Sequence, residues 1–481
     1  MGWMSKYDIP EFLALEMNKA RVGTKDRWTN LWRFATVRTG SYHIHIKNVH
    51  DKYGPVVRIG PNLLDLDVAT PELPKMTEFY QNNSAVINGK ITYQVFSETD
   101  PSSHARMKRP IAKFFSQGNV LAKEPLMNAI IGEMCQHLET RYKDSTCDLG
   151  EWIAFCAWDI LGMVAFSQKF GYMDTGRDFD GSIATADKSL DYFAAVGQMP
   201  FLDYLLDKNP VFRIGPPNLG NITRIATERM VARLQGQRPP RPLEYGEDIP
   251  DYLDHFIAVK DAHPDAITET DIVVYLLTTL IAGADTTAIT IRAIFYYALR
   301  KPSVYSRLEE EILSADLKSS AASYSSARAL PLREGMRMHP AVCMLLERYV
   351  PQPGLTLPNS NQYIPAGTAV GMNPYVMGRN QSIWGADADE FRPERWLRHD
   401  GEDEVSYRER LQLYHAFDLT FGGGARICLG RYLAQAEVYK VVASLVRNFE
   451  IELVDPLREW EVVGSWFLRQ KGLVCNLRER S

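Results

Sequence analysis

Residues 421–430 of the chain read Phe-Gly-Gly-Gly-Ala-Arg-Ile-Cys-Leu-Gly, and this stretch decides how the rest of the sequence is interpreted. Average residue frequencies give such a combination a chance of roughly 10⁻⁸ per start position. The glycines allow backbone N–H groups to approach a sulfur closely. A helix that we predict to begin after Gly430 directs its positive end at Cys428. Because this field stabilises a thiolate, the stretch predicts a sulfur ligand for a metal.

Two other interpretations of this cysteine loop are weaker. A lone cysteine is most often a small buried apolar residue, and we assign that role to the other five, Cys135, Cys147, Cys156, Cys343 and Cys475. A phosphate-binding loop would need a Lys-Ser/Thr pair or a G-x-G-x-x-G pattern after a strand, and the sequence has neither there. No pair of cysteines has C-x-x-C spacing, so we expect free thiols.

The composition indicates a soluble globular chain with a large core. The chain has 481 residues, of which 45% are hydrophobic and 23% are charged. Its net charge of -5 gives no reason to expect nucleic acid as a partner. The longest apolar run, residues 272–284, is too short to span a membrane, so it predicts a buried core helix. We expect residues 1–45 to be a lead-in without a transmembrane anchor.

The predicted elements are mostly helices, with small β-sheets. A capping box, Thr268 to Asp271, and the Lys301-Pro302 stop predict one helix of about 30 residues. Other predicted pieces are a β-hairpin around residues 60–62, a helix-rich stretch over 71–302, strands at 345–350, 355–357 and 362–364, a helix over 431–448, and a hairpin near 466–477. The fold class is therefore α+β, mostly α, in one unit.

The motif at 421–430 resembles the haem-binding signature of the cytochrome P450 superfamily. Three further motifs match that family in the same order: AGADTT at 282–287, EGMR at 334–337 and FRPERW at 391–396. The resemblance covers nearly the whole chain, and it is most similar to fungal microsomal-type members such as the pisatin demethylase group. It implies a cytochrome P450 fold, one haem domain over residues 1–481, with the haem between the long central helix and the helix after the cysteine loop.

The resemblance also implies the residues that bind the cofactor, haem b. Cys428 is the axial ligand of the iron, and such a thiolate ligand favours O–O cleavage. Arg426 and Arg348 are implied as ligands of the haem propionates. The remaining implied haem-binding residues are His104 and Lys108 on one helix and Phe421, Gly422, Gly424 and Gly430 in the loop. Lys108 departs from the family, where Arg is usual.

The implied catalytic residues lie in the middle of the long helix. Asp285 is the expected proton relay, and the Thr286 hydroxyl is expected to hold water or donate a hydrogen bond to oxygen. Ala282 and Gly283 are expected to form the oxygen pocket, with Gly283 leaving room for a ligand on the iron. Alternatively, Asp285 caps a kink and the threonines only fill helix positions.

Glu334, Arg337 and Arg395 are implied as a structural triad. Charges at i and i+3 usually form a solvated surface pair worth under about 1 kcal/mol. We expect a buried triad needed for folding and haem incorporation instead. The segment before Glu334 is shorter than in relatives by about a turn and a half of helix, so an inactive relative is an alternative.

The predicted function is insertion of one oxygen atom from O₂ into a lipophilic small molecule, in secondary metabolite biosynthesis. Electrons from NADPH are expected to arrive through a separate NADPH–cytochrome P450 reductase, with Arg106 and Lys440 as docking contacts. The substrate pocket is predicted at residues 86–96, 193–202, 341–346 and 465–467. A haem-thiolate isomerase or dehydratase is the alternative enzyme. We expect the protein on the cytoplasmic side, soluble or peripheral at the endoplasmic reticulum membrane.

Overall fold

The computed structural model describes residues 30–480 except 69, 71–72, 88, 144, 217–218, 240–248, 315–330 and 359–360. Two sequence predictions concern residues outside this set. They are the part of the lead-in that covers residues 1–29 and the shortened segment immediately before residue 331.

The described α-helices follow one another along most of the chain, with strands concentrated near both ends. They are α1 (Leu31–Arg38), α2 (Tyr42–Tyr53), α3 (Pro101–Ala112), α4 (Gln117–Leu121), α5 (Glu124–Tyr142), α6 (Leu149–Phe166), α7 (Tyr172–Thr175), α8 (Ser182–Val196), α9 (Phe201–Leu205), α10 (Gly220–Leu234), α11 (Tyr252–Ala262), α12 (Glu269–Leu299), α13 (Pro302–Ser314), α14 (Pro331–Met338), α15 (Pro374–Met377), α16 (Gln381–Trp384), α17 (Glu404–Phe417) and α18 (Arg431–Asn448).

The described strands form small separate sheets. They are β1 (Val56–Gly60), β2 (Leu63–Leu66), β3 (Lys75–Met76), β4 (Ala85–Ile87), β5 (Lys90–Thr92), β6 (Thr146–Asp148), β7 (Arg348–Tyr349), β8 (Leu355–Thr356), β9 (Tyr363–Ile364), β10 (Ala369–Gly371), β11 (Phe449–Leu453), β12 (Glu461–Gly464), β13 (Leu468–Lys471) and β14 (Val474–Glu479). One sheet has the order β1-β2-β10-β7-β3, another β11-β14-β6, and the rest are the pairs β12-β13, β4-β5 and β8-β9. This mixture confirms the predicted α+β class.

Helix α12 forms the centre of the largest hydrophobic core and confirms the predicted long helix. Its first turn has the expected capping box, in which the Thr268 N–H donates to the Asp271 carboxylate at 2.8 Å and the Asp271 N–H donates back to the Thr268 hydroxyl at 3.3 Å. Helices α6, α10, α11, α14 and α18 all pack against α12. Among the described helices, α6 and α12 are long and apolar enough to cross a membrane. However, 94% of the residues of α6 and 56% of the most apolar 18-residue stretch of α12 are buried inside the protein.

Two glycines permit the closest approaches to α12. A Cβ atom at Gly335 of α14 would lie 2.6 Å from Ile294 Cγ1, so any side chain there would push α14 away. A Cβ atom at Gly283 would lie 2.8 Å from Leu161 Cδ1 of α6. The missing side chain of Gly283 therefore makes room for a neighbouring helix, whereas the sequence had suggested room for a ligand on iron.

The turn predictions are partly correct. Strands β1 and β2 pair antiparallel across the predicted turn at residues 61–62. The predicted hairpin at 466–477 is wrong in its position, because β13 pairs with β12 while β14 pairs with β11 and β6. Gly472, with a φ of +89°, ends β13 and turns the chain into the other sheet, where β14 gains two strand partners.

Glu334 is the hub of a buried ion-pair cluster, the Glu334 cluster, formed with Arg337 and Arg395. Its Oε1 lies 2.6 Å from Arg337 Nη2 and 3.2 Å from Arg395 Nε, and all three residues are buried. The indole of Trp396 donates to Glu334 Oε2 at 2.9 Å, so both carboxylate oxygens are satisfied. The remaining guanidinium N–H groups bind the Asp387 side chain and backbone carbonyls.

We predict that Arg395→Ala lowers the free energy of unfolding by about 3–5 kcal/mol, because it leaves the Glu334 carboxylate buried without one of its cations. Thermal unfolding followed by circular dichroism measures this loss. Arg408→Ala is the control, since the Arg408 side chain is exposed and its pair with Glu404 is worth under about 1 kcal/mol. Equal unfolding temperatures for the two variants would contradict the prediction.

Candidate active site

The cysteine loop, residues 418–430, is shaped by two left-handed glycines. Gly422 has a φ of +65° and Gly424 a φ of +60°, conformations that other residues rarely adopt. The turn is closed when the Cys428 N–H donates to the Phe421 carbonyl at 2.9 Å. A Cβ atom at Gly422 or Gly430 would meet nothing within 4 Å, so these positions border open space. The glycines are therefore required by the turn itself, and they leave one side of the loop open.

Cys428 is the one exposed cysteine of the chain, whereas the other five are buried free thiols. This outcome confirms the expectation of free thiols. Burial raises the pKa of Cys135, Cys147 and Cys343 to about 12, which keeps them protonated. Partial desolvation also raises the pKa of Cys428, but the Gly430 N–H and the positive charge of Arg431 oppose that shift. Helix α18 begins immediately after Gly430, so its N-terminal end adds positive potential.

Lys108 holds the cysteine loop against helix α3. Its ammonium group donates to the Ala425 carbonyl at 2.8 Å and lies 3.4 Å from the Ile427 carbonyl. These contacts fix the backbone on either side of Arg426. The sequence placed Lys108 near the cofactor without indicating that it binds the loop itself.

Arg426 and Arg348 bring two guanidinium groups together beside the loop. Arg426 Nη1 donates to the Glu98 carbonyl at 2.8 Å, while its Nη2 is buried without a hydrogen-bond partner. Arg348 donates to the Tyr80 hydroxyl and to the Glu347 carbonyl. Burial, and then repulsion from Arg348, lowers the pKa of Arg426. Among the described residues the hydrogen-bond partners of these cations are carbonyl and phenol oxygens, and the carboxylates of Glu98 and Asp100 act on Arg426 without a direct ion pair.

His104 is buried next to the same cations. Burial, followed by repulsion from Arg426 and Lys108, lowers the pKa of His104 to about 4, so its imidazole is neutral at pH 7. The group of His104, Lys108, Arg348 and Arg426, here called the cation cluster, thus has an orphaned buried N–H and an excess of positive charge. The residues of this cluster fit a haem, because its two propionates would supply the anions and Cys428 would supply a ligand for its iron.

The exposed turn of α12 carries the predicted oxygen-site residues. Ala282 is exposed although its neighbours Ala284 and Asp285 are buried. The Thr286 hydroxyl donates to the Ala282 carbonyl at 2.8 Å, one turn earlier. Thr286 therefore has a hydroxyl oxygen on the exposed side that can still accept a hydrogen bond.

Asp285 points away from that turn into the protein. Its Oδ1 accepts a hydrogen bond from the Trp158 indole at 3.0 Å, and its Oδ2 is buried without a partner. Burial, and next the charge of Asp187, raises the pKa of Asp285 to about 7, against the opposing effect of Arg292 and Arg469. The carboxyl group therefore exchanges its proton near neutral pH.

An ion-pair group lies between Asp285 and the surface. Arg469 of β13 is 2.8 Å from Asp187 and 2.6 Å from Asp191, both on α8. The two aspartates are partly exposed to solvent. The sequence analysis missed these three residues and Trp158, because each lies more than 90 positions from Asp285 and no local motif marks it.

Of the two predicted reductase contacts, Arg106 is exposed and Lys440 is buried. Arg106 is exposed on α3, as a docking residue must be. Lys440 is fully buried on the inner side of α18 and its ammonium group lies 2.7 Å from Glu124 Oε1. The prediction for Lys440 is therefore wrong, because a basic residue in a helix can also face the core when a carboxylate is close.

Parts of the four predicted pocket segments meet in one aromatic cluster. The ring centroids of Phe193 and Trp466 are 4.8 Å apart, and those of Phe96 and Trp466 are 5.5 Å apart. Phe79, which the sequence did not single out, lies 5.1 Å from Phe193. Val342 forms a β-bridge with Phe467, which joins the third segment to the fourth. By contrast, Phe201 is exposed and lies outside this cluster.

Comparison with known proteins places this site in a family. The sequence model described as Cytochrome P450 matches residues 23–471. Cytochrome P450 monooxygenase cfoH of Aspergillus candidus is 40% identical over 470 residues, which cover 94% of this chain and 86% of that protein. Cytochrome P450 monooxygenase cicH of Emericella nidulans is 33% identical, with 94% and 92% covered.

A longer relative is mpaDE of Penicillium roqueforti, named a cytochrome P450 monooxygenase and 31% identical. The match covers 95% of this chain but 54% of that protein, so this chain spans about half its length. The family match over nearly the whole chain agrees with the exposed Cys428, the cation cluster and the central helix: this chain belongs to the cytochrome P450 family of monooxygenases.

Proposed function

We propose that this protein binds haem b through Cys428 and inserts one oxygen atom from O₂ into a lipophilic small molecule. The observation that carries the proposal is the one exposed thiol, at the N-terminus of α18, beside a cation cluster in which Arg426 Nη2 is buried without a hydrogen-bond partner. Bound haem would supply the oxygen activation. The side chains of this chain would hold the cofactor, exclude water and deliver protons.

Each residue of the cation cluster has a definite role in this proposal. Arg426 and Arg348 would neutralise the propionates, and the unpartnered Nη2 of Arg426 would donate one of those hydrogen bonds. Neutral His104 donates or accepts a hydrogen bond without adding charge. Lys108 keeps the loop in place, so the Cys428 sulfur stays directed to the open side. Electrons are expected from a separate NADPH-dependent flavoprotein reductase that docks near exposed Arg106.

We predict that the purified protein, reduced and exposed to carbon monoxide, has the strongly red-shifted Soret band of thiolate-ligated haem. Cys428→Ala should abolish this band, because a methyl group cannot ligate iron. Cys135→Ala is the matched control, since Cys135 is a buried thiol outside the loop. An unshifted band in the wild type, or a shifted band that survives in Cys428→Ala, would overturn the proposed ligand.

Asp285 is the proposed proton donor for the oxygen chemistry. A carboxyl group with a pKa of about 7 is present in both protonation states under working conditions, which suits repeated proton transfer. The Arg469 ion-pair group with Asp187 and Asp191 offers a polar path toward solvent. A haem-thiolate isomerase or dehydratase would have no need for this buried carboxyl, so we favour the monooxygenase.

We predict that Asp285→Asn lowers turnover roughly 10²-fold, since an amide cannot deliver the proton. The same variant should be more stable than the wild type at pH 8, by about 4 kcal/mol, because it removes a charge from the core.

The pH dependence of stability gives the sign of the difference between wild type and Asp285→Asn. Burial raises the folded-state pKa of Asp285 to about 7, so the wild type loses stability as pH rises from about 4 to 7 and stays lower above that range. The Asn variant has no such loss, so the two unfolding temperatures should converge near pH 4. A difference that is constant from pH 4 to pH 8 would contradict the assignment.

The proposed location is the surface of a membrane, through the segment from Phe201 to Ile214. Its exposed large apolar side chains are Phe201, Tyr204, Leu205, Val211, Phe212 and Ile214. Soluble proteins rarely expose so many apolar side chains together, and a lipid surface would cover them. A lipophilic substrate dissolved in that membrane would reach the protein from the same side.

We predict that the double variant Val211→Asp/Phe212→Asp reduces binding to phosphatidylcholine vesicles at least about tenfold, because these side chains are 92% and 69% exposed and would bury apolar area in lipid. Co-sedimentation measures the bound fraction. Leu457→Asp is the control, since Leu457 is 87% exposed in the connection between β11 and β12. Equal binding by wild type and double variant would remove this segment as the contact.

A further inference from the structure

A polar pair joins α12 to the segment before α3, two turns before the oxygen-site threonine. The Thr278 hydroxyl donates to Gln94 Oε1 at 2.7 Å, and it also lies 2.7 Å from the Val274 carbonyl. Both Gln94 and Thr278 are partly buried. A glutamine that bonds across to a helix in an apolar region is unusual, because each polar atom there needs a partner.

Helix periodicity places this pair beside the exposed turn of α12. Thr278, Ala282 and Thr286 are spaced by four residues, so they follow one another along one side of the helix. Eight residues correspond to about 12 Å along the axis. A small molecule that lies along this side of α12 can therefore contact Gln94 at one end and approach Thr286 with the other.

The amide orientation of Gln94 is determined by its neighbours. Its Nε2 lies 3.2 Å from the backbone carbonyl of Asn83 and 2.8 Å from Asn83 Oδ1. A backbone carbonyl can only accept, so the atom facing it must be the NH₂ group. Both N–H bonds of Gln94 are thus occupied, and the side chain presents its oxygen to Thr278.

The pair consequently offers hydrogen-bond acceptors and no spare donor. Gln94 Oε1 has two lone pairs, of which the Thr278 hydroxyl uses one. If a ligand takes that oxygen, the Thr278 hydroxyl keeps the Val274 carbonyl as its acceptor, so no hydrogen bond is lost. A hydroxyl group of a ligand can therefore donate a hydrogen bond to Gln94 Oε1. An ether or ketone oxygen in the same place would lie against this acceptor oxygen without a hydrogen between them.

An aromatic cluster begins two residues after Gln94. Phe96, two residues after Gln94, has its ring centroid 5.3 Å from that of Tyr80, 5.5 Å from Trp466 and 6.2 Å from Phe193. Such rings attract another ring edge-on or by offset stacking, beyond the effect of buried area. The surroundings thus favour a flat aromatic molecule over a flexible aliphatic chain.

We propose that Gln94 is a specificity-determining residue that accepts a hydrogen bond from a hydroxyl group on an aromatic substrate. Asn83 and Thr278 are positioning residues that hold the Gln94 amide in the accepting orientation. The inference rests on the proposed monooxygenase function and names the substrate class for that site: phenolic small molecules.

The test compares two probes that differ in one hydroxyl hydrogen, 2-naphthol and 2-methoxynaphthalene. Spectral titration of the haem-bound protein gives a Kd for each from the change in the Soret band. We expect wild type to bind 2-naphthol roughly three- to tenfold more tightly, the effect of one hydrogen bond to a neutral acceptor. Gln94→Met keeps the side-chain length but removes the acceptor, so the ratio of the two Kd values should fall to about one.

The ratio separates recognition from mere loop stability, because a loosened loop would weaken both probes alike. Thr279→Val is the matched control: the Thr279 hydroxyl donates to the Tyr275 carbonyl in the same way, and no hydrogen bond joins it to Gln94. We expect this variant to keep the wild-type ratio.

Three results would overturn the inference. These are no spectral change with either probe, equal Kd values in the wild type, or an unchanged ratio in Gln94→Met. Failure of the proposed function is seen separately, as the absence of the red-shifted carbon monoxide band before any probe is added.

Discussion

An excess of half-buried positive charge beside one exposed thiol is the constraint on which this site depends. Arg348, Arg426 and Lys108 donate hydrogen bonds to carbonyl and phenol oxygens in the described structure, and nearby carboxylates such as Glu98 and Glu347 act on the arginines without a direct ion pair. Burying cations in this way is costly unless an anion arrives. The lowered pKa values of Arg426 and His104 are signs of the same strain, and burial is the larger cause of both. An anionic cofactor that brings its own carboxylates removes that cost, so cofactor binding and stability of this region are coupled.

The packing of helix α12 in the core is a second constraint, because it sets the surroundings of the Asp285 carboxyl group. Its close approach to α6 depends on Gly283, because Leu161 occupies the space a side chain would take. The same packing puts Trp158 of α6 within hydrogen-bonding distance of Asp285. The contact that closes the core therefore also desolvates the carboxyl group and raises its pKa. A looser core would admit water and return Asp285 toward an ordinary acid.

Features encoded by local sequence motifs could be predicted, whereas contacts between residues far apart in the sequence could not. The capping box at Thr268 and the apolar run after it were sufficient to predict α12, and the glycine-rich loop singled out Cys428, the cysteine that the structure exposes. The partners of Asp285 could not be predicted, because Trp158, Asp187 and Arg469 come from three other elements. The prediction for Lys440 failed for a related reason. Its charge and its closeness to the cysteine loop in sequence predicted an exposed side chain, yet Glu124 of helix α5 stabilises it in the core.

The two ends of the exposed side of α12 therefore have opposite hydrogen-bonding character. Near Thr286 the threonine hydroxyl can both donate and accept a hydrogen bond. At Thr278 the hydroxyl is already committed to Gln94 or Val274, and the Gln94 amide donates only to Asn83, so acceptor oxygens face the site. Under the proposed specificity, the O–H group of a phenolic substrate would donate to the accepting end, and its ring would pack near the aromatic cluster of Phe96, Phe193 and Trp466. An aliphatic chain without a hydroxyl group would match neither the rings nor the acceptor. The arrangement thus fixes which end of the substrate reaches the oxidising centre.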